Sequence, residues 1–257
     1  MGAGCFKPGV FVASLGTAAW LGCVDEKSFI NAEYHVNSTY IGFGKYRSSV
    51  NSHTVGAALD WGIKNLLGLD GADMYDEASA LAAKCTPGAA GLMFLPAFRI
   101  GNCRYSSPGA AGALIGMKLE HGREHIARAL FESLAYELHI GLDFFGNNGA
   151  APCEIRLIGG GSRNPLQAQI ISDVLGIPVL VPENSRHIGS SGAAMLALVG
   201  SGNAQDIDAV TSFKTANRYE PNKGKTAFYA ESYERYKQCY EALMLVYDSW
   251  STKDKEP

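Results

Sequence analysis

No apolar run in this sequence approaches the roughly 20 residues needed to cross a bilayer. The first residues carry no basic segment leading into an apolar signal. Lysine and arginine, 22 together, are outnumbered by 25 aspartates and glutamates, and the net charge is −3. No block of like positive charge stands out, so the basic face of a nucleic-acid binder is missing. Cysteine is sparse as well. Cys5, Cys23, Cys85, Cys103, Cys153 and Cys239 are scattered, with neither the density of a disulfide scaffold nor paired metal-ligand spacing. They read as reduced thiols in a cytoplasmic protein. No internal repeat, calcium loop or Gly-Lys-Ser phosphate loop is present. What remains is 257 residues, 47% hydrophobic and 18% charged. That is material for one large or two small domains with a sizeable core.

The hydrophobic pattern predicts strands early and alternating strands and helices late. Val10 to Val24 suggests two strands meeting at the tight turn in "SLGT", and Tyr34 to Phe43 a further strand. Val55, Leu59, Ile63 and Leu66 share one face of a helix over Thr54 to Leu67. A shorter helix, Met74 to Lys84, ends at Thr86-Pro87-Gly88. Short strands are expected within Gly91 to Phe98 and Ala110 to Leu119. Glu124 to Leu142 is the clearest helix, striped by Ile126, Leu130, Leu134 and Leu138. After a loop at Asn147 to Pro152 come strand (Glu154 to Ile158), helix (Asn164 to Leu175), strand (Pro178 to Val181) and helix (Ser190 to Val199). A last helix, Thr226 to Trp250, carries a tyrosine seam expected to pack on the domain with its hydroxyls at the rim. The pattern is that of a layered α/β domain.

Four features could carry chemistry. Gly159, Gly160 and Gly161 follow a strand and precede a helix, where free N–H groups and a positive dipole end favour a nucleotide. The bend reads equally well as a tight turn. Gly16-Thr17 at the first hairpin could meet a phosphate oxygen with a backbone N–H and a hydroxyl, although such turns are routine. "HGREH" matches an inverted zinc-protease pattern, with His121 and His125 as ligands and Glu124 as base. Gly122 and the want of a third ligand favour polar capping of the long helix instead. Asp60, Asp70, Asp73 and Asp76 fit no metal loop and read as a solvated face.

The order of the motifs resembles the C-terminal domain of the FGGY carbohydrate kinases, nearest the xylulokinase-like members, along nearly the whole chain. "GAGCFKPGVFVASLGT", "SHTVGAALDWGIKNL", "PGAAGLMFLPAF", "GALIGMKLEHGREHIARALFESLAYEL", "IGGGSRNPLQAQIISDVLGIPV", "GSSGAAMLALVGSG" and "RYEPNKGKTAFYAESYERYKQCYEAL" carry it. The resemblance implies an actin-like ATPase (ribonuclease H-like) domain, a mixed sheet flanked by helices, spanning residues 1–257. It implies ATP with Mg²⁺, the terminal phosphates at Gly16 and Thr17, and adenosine at Gly159, Gly160, Gly161, Ser162, Arg163 and Asn164. It further implies transfer of a phosphoryl group to a pentulose such as xylulose or a related polyol. Most sugar contacts would come from an N-terminal domain absent from this chain. The general-base aspartate would lie upstream of Met1, so no catalytic residue is assigned and the chain alone is expected to be catalytically incomplete. A non-catalytic or split-subunit module is the alternative. Either would self-associate or dock on a complementary kinase half. Two departures from the family pattern are Ala18, where a serine is usual, and the loop Ile100 to Ser107, where a glycine-glutamate-arginine run and an aspartate are usual.

Overall fold

Six apolar residues, Val10–Leu15, form β1, buried along nearly its whole length. The chain reverses through Gly16 to Ala18 into β2 (Ala19–Asp25), with Gly16 N–H donating to the Ala18 carbonyl at 3.0 Å. β3 (Val36–Gly42) and β4 (Lys45–Ser52) continue the antiparallel half of the sheet. Next come α1 (Val55–Asn65), α2 (Met74–Ala82), β5 (Met93–Leu95), β6 (Ala113–Ile115) and α3 (Arg123–Asn147). The second half runs β7 (Glu154–Ile158), α4 (Pro165–Leu175), β8 (Val179–Pro182), α5 (Ile188–Gly200), α6 (Ile207–Val210), β9 (Thr215–Tyr219) and α7 (Lys223–Lys253). The structure, a computed structural model, describes residues 2–52, 54–98, 105, 107, 109–183, 185, 187–211 and 213–253.

Seven strands form one sheet in the order β3-β4-β2-β1-β7-β8-β9. β1, β7 and β8 are mutually parallel, and the remaining pairings are antiparallel. This is the mixed, helix-flanked sheet that the resemblance implies, and the layered α/β domain that the hydrophobic pattern predicts. β5 and β6 pair separately and are shorter than the expected spans. β4 and β9 are additional to the predicted strands. Among the described residues no helix is long and apolar enough to cross a membrane, and the five described cysteines are unpaired.

α3 is the central strut. From Ala127 to Leu138 every residue is buried, as expected of a helix covered on all sides. Its core side reaches the sheet, where Phe145 meets Phe11 edge-on at 5.1 Å. Its other side takes the tyrosines of α7, of which Tyr229, Tyr236 and Tyr240 are fully buried. Their hydroxyls do not reach the rim. Tyr229 donates to Glu132 Oε1 at 2.6 Å, and Tyr236 and Tyr240 to Glu137 Oε1 at 2.7 and 2.9 Å. The reason lies in α3, which places Glu132 and Glu137 inside its own apolar stripe. A buried carboxylate requires donors. Arg128 also binds Glu132 Oε1 at 2.6 Å, and Gly88 N–H adds a third donor at 2.8 Å. Burial first, and then Glu132, push the Tyr229 hydroxyl far above its ordinary range, so it stays a proton donor.

Candidate functional site

Parallel pairing of β1 with β7 brings Ser14 opposite Ile158. Both strands therefore end at the same edge of the sheet, and the turn after β1 adjoins the bend after β7. In open α/β sheets this edge is where ligands sit. A cavity of about 740 Å³ opens there. Gly16, Thr17, Gly160, Gly161, Arg163 and Asn164 line it, together with Gly56, Asp60, Tyr75, Asp76, Phe131 and Gln167 from α1, α2, α3 and α4. Two motifs more than a hundred residues apart thus share one wall. Gly159 and Ser162 do not line it. The volume falls within the range usual for small-molecule sites.

The three consecutive glycines have different physical reasons. Gly159 adopts φ +90°, and a Cβ there would overlap the Leu15 carbonyl oxygen. A Cβ on Gly161 would meet Leu15 Cβ at 2.9 Å. Both are bare so that the bend can lie against β1. Only Gly160 would carry a Cβ with no heavy atom within 4 Å, directed into open space. Packing on Leu15 thus gives Gly159 and Gly161 a reason of their own to be glycine, beside any approach of a ligand. Ser162 is buried and closes the bend, its hydroxyl donating to Gly159 O at 2.7 Å.

Asn164 joins the cavity wall to a helix start. Its Oδ1 accepts the Gln167 N–H at 3.0 Å, an N-cap completed by Pro165 in the first turn of α4. The same oxygen accepts from Ser79 Oγ at 3.3 Å, which ties α2 to α4 across the cavity. On the side of the Gly16-Thr17 turn, Ala57 N–H donates to Thr17 O at 2.9 Å. Gly56 allows that contact, since a Cβ there would overlap the Gly16 carbonyl oxygen. Asp60 accepts from Tyr75 at 3.1 Å and pairs with Lys64 at 3.4 Å. Burial, followed by that bond to Asp60, pushes the Tyr75 hydroxyl up to about 12.

Gly56, Asp60, Tyr75, Asp76, Phe131 and Gln167 are cavity residues that sequence reasoning did not assign. Asp60 and Asp76 had been read as solvated. The local pattern carried no signal, because helices distant in sequence bring them together. The zinc reading finds no support, and its histidines serve the start of the long helix. His121 Nδ1 accepts the Lys118 N–H at 3.1 Å, and His125 Nδ1 accepts the Gly122 N–H at 3.0 Å. Both cap the approach to α3. Among the described residues no group of three or more histidines, cysteines or carboxylates could hold a metal. Of the loop Ile100 to Ser107, only Tyr105 and Ser107 are among the described residues. Tyr105 stacks on Tyr240 with centroids 5.0 Å apart.

The sequence from 11 to 201 matches the model for the C-terminal domain of the FGGY family of carbohydrate kinases. Glycerol kinase 1 of Thermotoga maritima is 31% identical over 207 residues, covering 79% of this chain and 37% of that protein. The crystal structure of xylulose kinase from Rhodospirillum rubrum superimposes with a TM-score of 0.85 at 29% identity, covering 96% of this chain and 49% of that one. Plasmodium falciparum glycerol kinase, crystallised with ADP, gives 0.75 at 26% identity over 91% of this chain and 48% of that one. The chain spans half or less of the length of the relatives it matches.

Proposed function

The chain belongs to the FGGY family of carbohydrate kinases, with the actin-like ATPase fold of that family, and from this premise we propose that its cavity seats ATP or ADP. The terminal phosphates lie at the Gly16-Thr17 turn, both residues of which line the cavity. The adenosine lies along Gly160, Gly161 and Asn164, with Arg163 beside it. Gly160 admits the ligand to the backbone. Gly159 and Ser162 hold the bend from behind. The single observation that carries this reading is the common cavity, which unites two motifs that are individually weak. An ADP-bound relative with the same fold supports it.

Magnesium is the usual companion of the phosphates in such chemistry, held by one or two carboxylates and by the phosphates themselves. Among the described residues nothing forms a metal cage, so no residue of this chain is assigned to it. Phosphoryl transfer depends on positioning and electrostatic stabilisation from both walls of a cleft. This chain supplies the nucleotide wall. The acceptor wall and the general base belong to the half of the relatives that this chain does not span. The acceptor is a small polyhydroxylated molecule, a pentulose such as xylulose or a polyol such as glycerol, two of the substrates named among the relatives.

Calorimetric titration with Mg-ADP and photolabelling with an azido-adenine nucleotide test the proposal. Saturable binding with label on the Gly160–Asn164 bend or on α2 is expected. No binding at millimolar nucleotide, or label on another face, would overturn it.

A further inference from the structure

Glu137 is 2% exposed and projects from the middle of α3. One of its oxygens accepts from Tyr236 and Tyr240 of α7, at 2.7 and 2.9 Å. The other accepts from Ser52 Oγ at 3.1 Å. Ser52 is the last residue of β4 and is itself buried. It pairs with Ala19, the first residue after the phosphate turn. Two residues further on, Thr54 begins α1, fastened by its hydroxyl to Pro96 O at 3.2 Å. α1 then reaches back, with Ala57 N–H on Thr17 O and Gly56 against Gly16. The turn is thus held from two directions, along β2 and through α1. Both routes start at the strand end that Glu137 fixes.

We propose that Glu137 is a positioning residue for the Gly16-Thr17 turn, and that the C-terminal helix acts on nucleotide affinity through it. The carboxylate takes no part in binding. It ties three elements of low mutual sequence proximity to one point: β4, α3 and α7. A buried carboxylate with hydroxyl donors on both oxygens fixes its partners in place, because an unmade bond there costs more than an exposed one. The consequence is selective. The turn faces the phosphates, whereas the Gly160–Asn164 bend is held separately by Leu15 and by the cap of α4. Disturbing Glu137 therefore reaches the phosphates and spares the nucleoside.

This inference rests on the nucleotide reading above, and its test separates the two. Mg-ADP and adenosine are titrated into the full chain and into Glu137→Met, Glu137→Gln, Ser52→Ala and the Tyr236→Phe/Tyr240→Phe double variant. Hydrogen exchange of the Ala57 amide is followed in each without nucleotide. Glu137→Met is expected to weaken Mg-ADP about tenfold while adenosine stays within about twofold. Its Ala57 amide is expected to exchange about tenfold faster. Ser52→Ala and the double tyrosine variant shift both readouts in the same direction and serve if Glu137→Met fails to fold. Glu137→Gln, whose amide can accept from the tyrosines and donate to Ser52, is expected to restore both to within about threefold. Unchanged Ala57 exchange in Ser52→Ala and Glu137→Met would overturn the proposal. So would equal weakening of ADP and adenosine. A wild-type chain that binds neither Mg-ADP nor adenosine would sink the proposed function, and Ala57 exchange alone would then decide the mechanical link.

Discussion

Replacing Gly160 by alanine adds a methyl group where no protein atom lies within 4 Å. The residue has no positive φ, so alanine fits without strain. The folded chain is expected to gain about 0.4–1 kcal/mol from a less flexible unfolded state. For a chain of this size that raises the melting temperature by about 1–4 °C. The same methyl group occupies the space in which adenosine would touch the backbone. Accommodating it costs about 1–3 kcal/mol of overpacking, which weakens Mg-ADP roughly 5- to 150-fold. Gly161→Ala acts oppositely. Its Cβ meets Leu15 Cβ at 2.9 Å, so it destabilises the fold by about 1–3 kcal/mol. Gly159→Ala adds the strain of a positive φ to an overlap with backbone and costs more. Thermal melts without nucleotide and calorimetric titration with Mg-ADP separate the three variants. The reasoning fails if Gly160→Ala melts below wild type and binds ADP normally.

Glu132→Ala leaves Arg128, 5% exposed, without its carboxylate, and is expected to cost about 3–5 kcal/mol in urea unfolding. A loss below about 1 kcal/mol would refute that account of the network. Alkylation of the native chain at pH 8 should reach exposed Cys153 well before Cys5 and Cys23. Burial pushes both of those thiols up to about 12, so they remain protonated and unreactive through that pH. Early labelling of Cys5 would contradict it. Metal analysis of the dialysed chain should find no stoichiometric zinc. His121→Ala and His125→Ala should each cost about 1 kcal/mol through lost capping, and one bound zinc per chain would reverse that assignment.

Helices with a strong apolar stripe were legible from sequence. α3 was expected over Glu124 to Leu142 and runs Arg123–Asn147, and α7 was expected over Thr226 to Trp250 and runs Lys223–Lys253. β4 was not legible, because its buried positions include Ser48, Ser49 and Ser52. Ser48 and Ser52 substitute hydrogen bonds for hydrophobicity. Ser48 Oγ accepts the Phe29 N–H and lies 2.9 Å from Ser38 Oγ, and Ser52 binds Glu137. β9 is an exposed edge strand with no apolar alternation to show it. At the site, the turn and the bend were visible as motifs. The glycines' separate duties were not, because they depend on where Leu15 lies. Nor was the destination of the tyrosine hydroxyls, although two glutamates within "FESLAYEL" were a signal that something polar would face them.

Leu15 fills the places that Gly159 and Gly161 leave vacant, its carbonyl against one and its side chain against the other. The bend is therefore seated on the end of β1, while the tip of the turn at Gly16-Thr17 hangs on β2 and α1. A nucleotide meets a floor that is already assembled, so its association involves no wait for loops to order, and little entropy is lost in arranging them. Any motion of the bend must carry Leu15 with it, whereas the tip of the turn answers to α1.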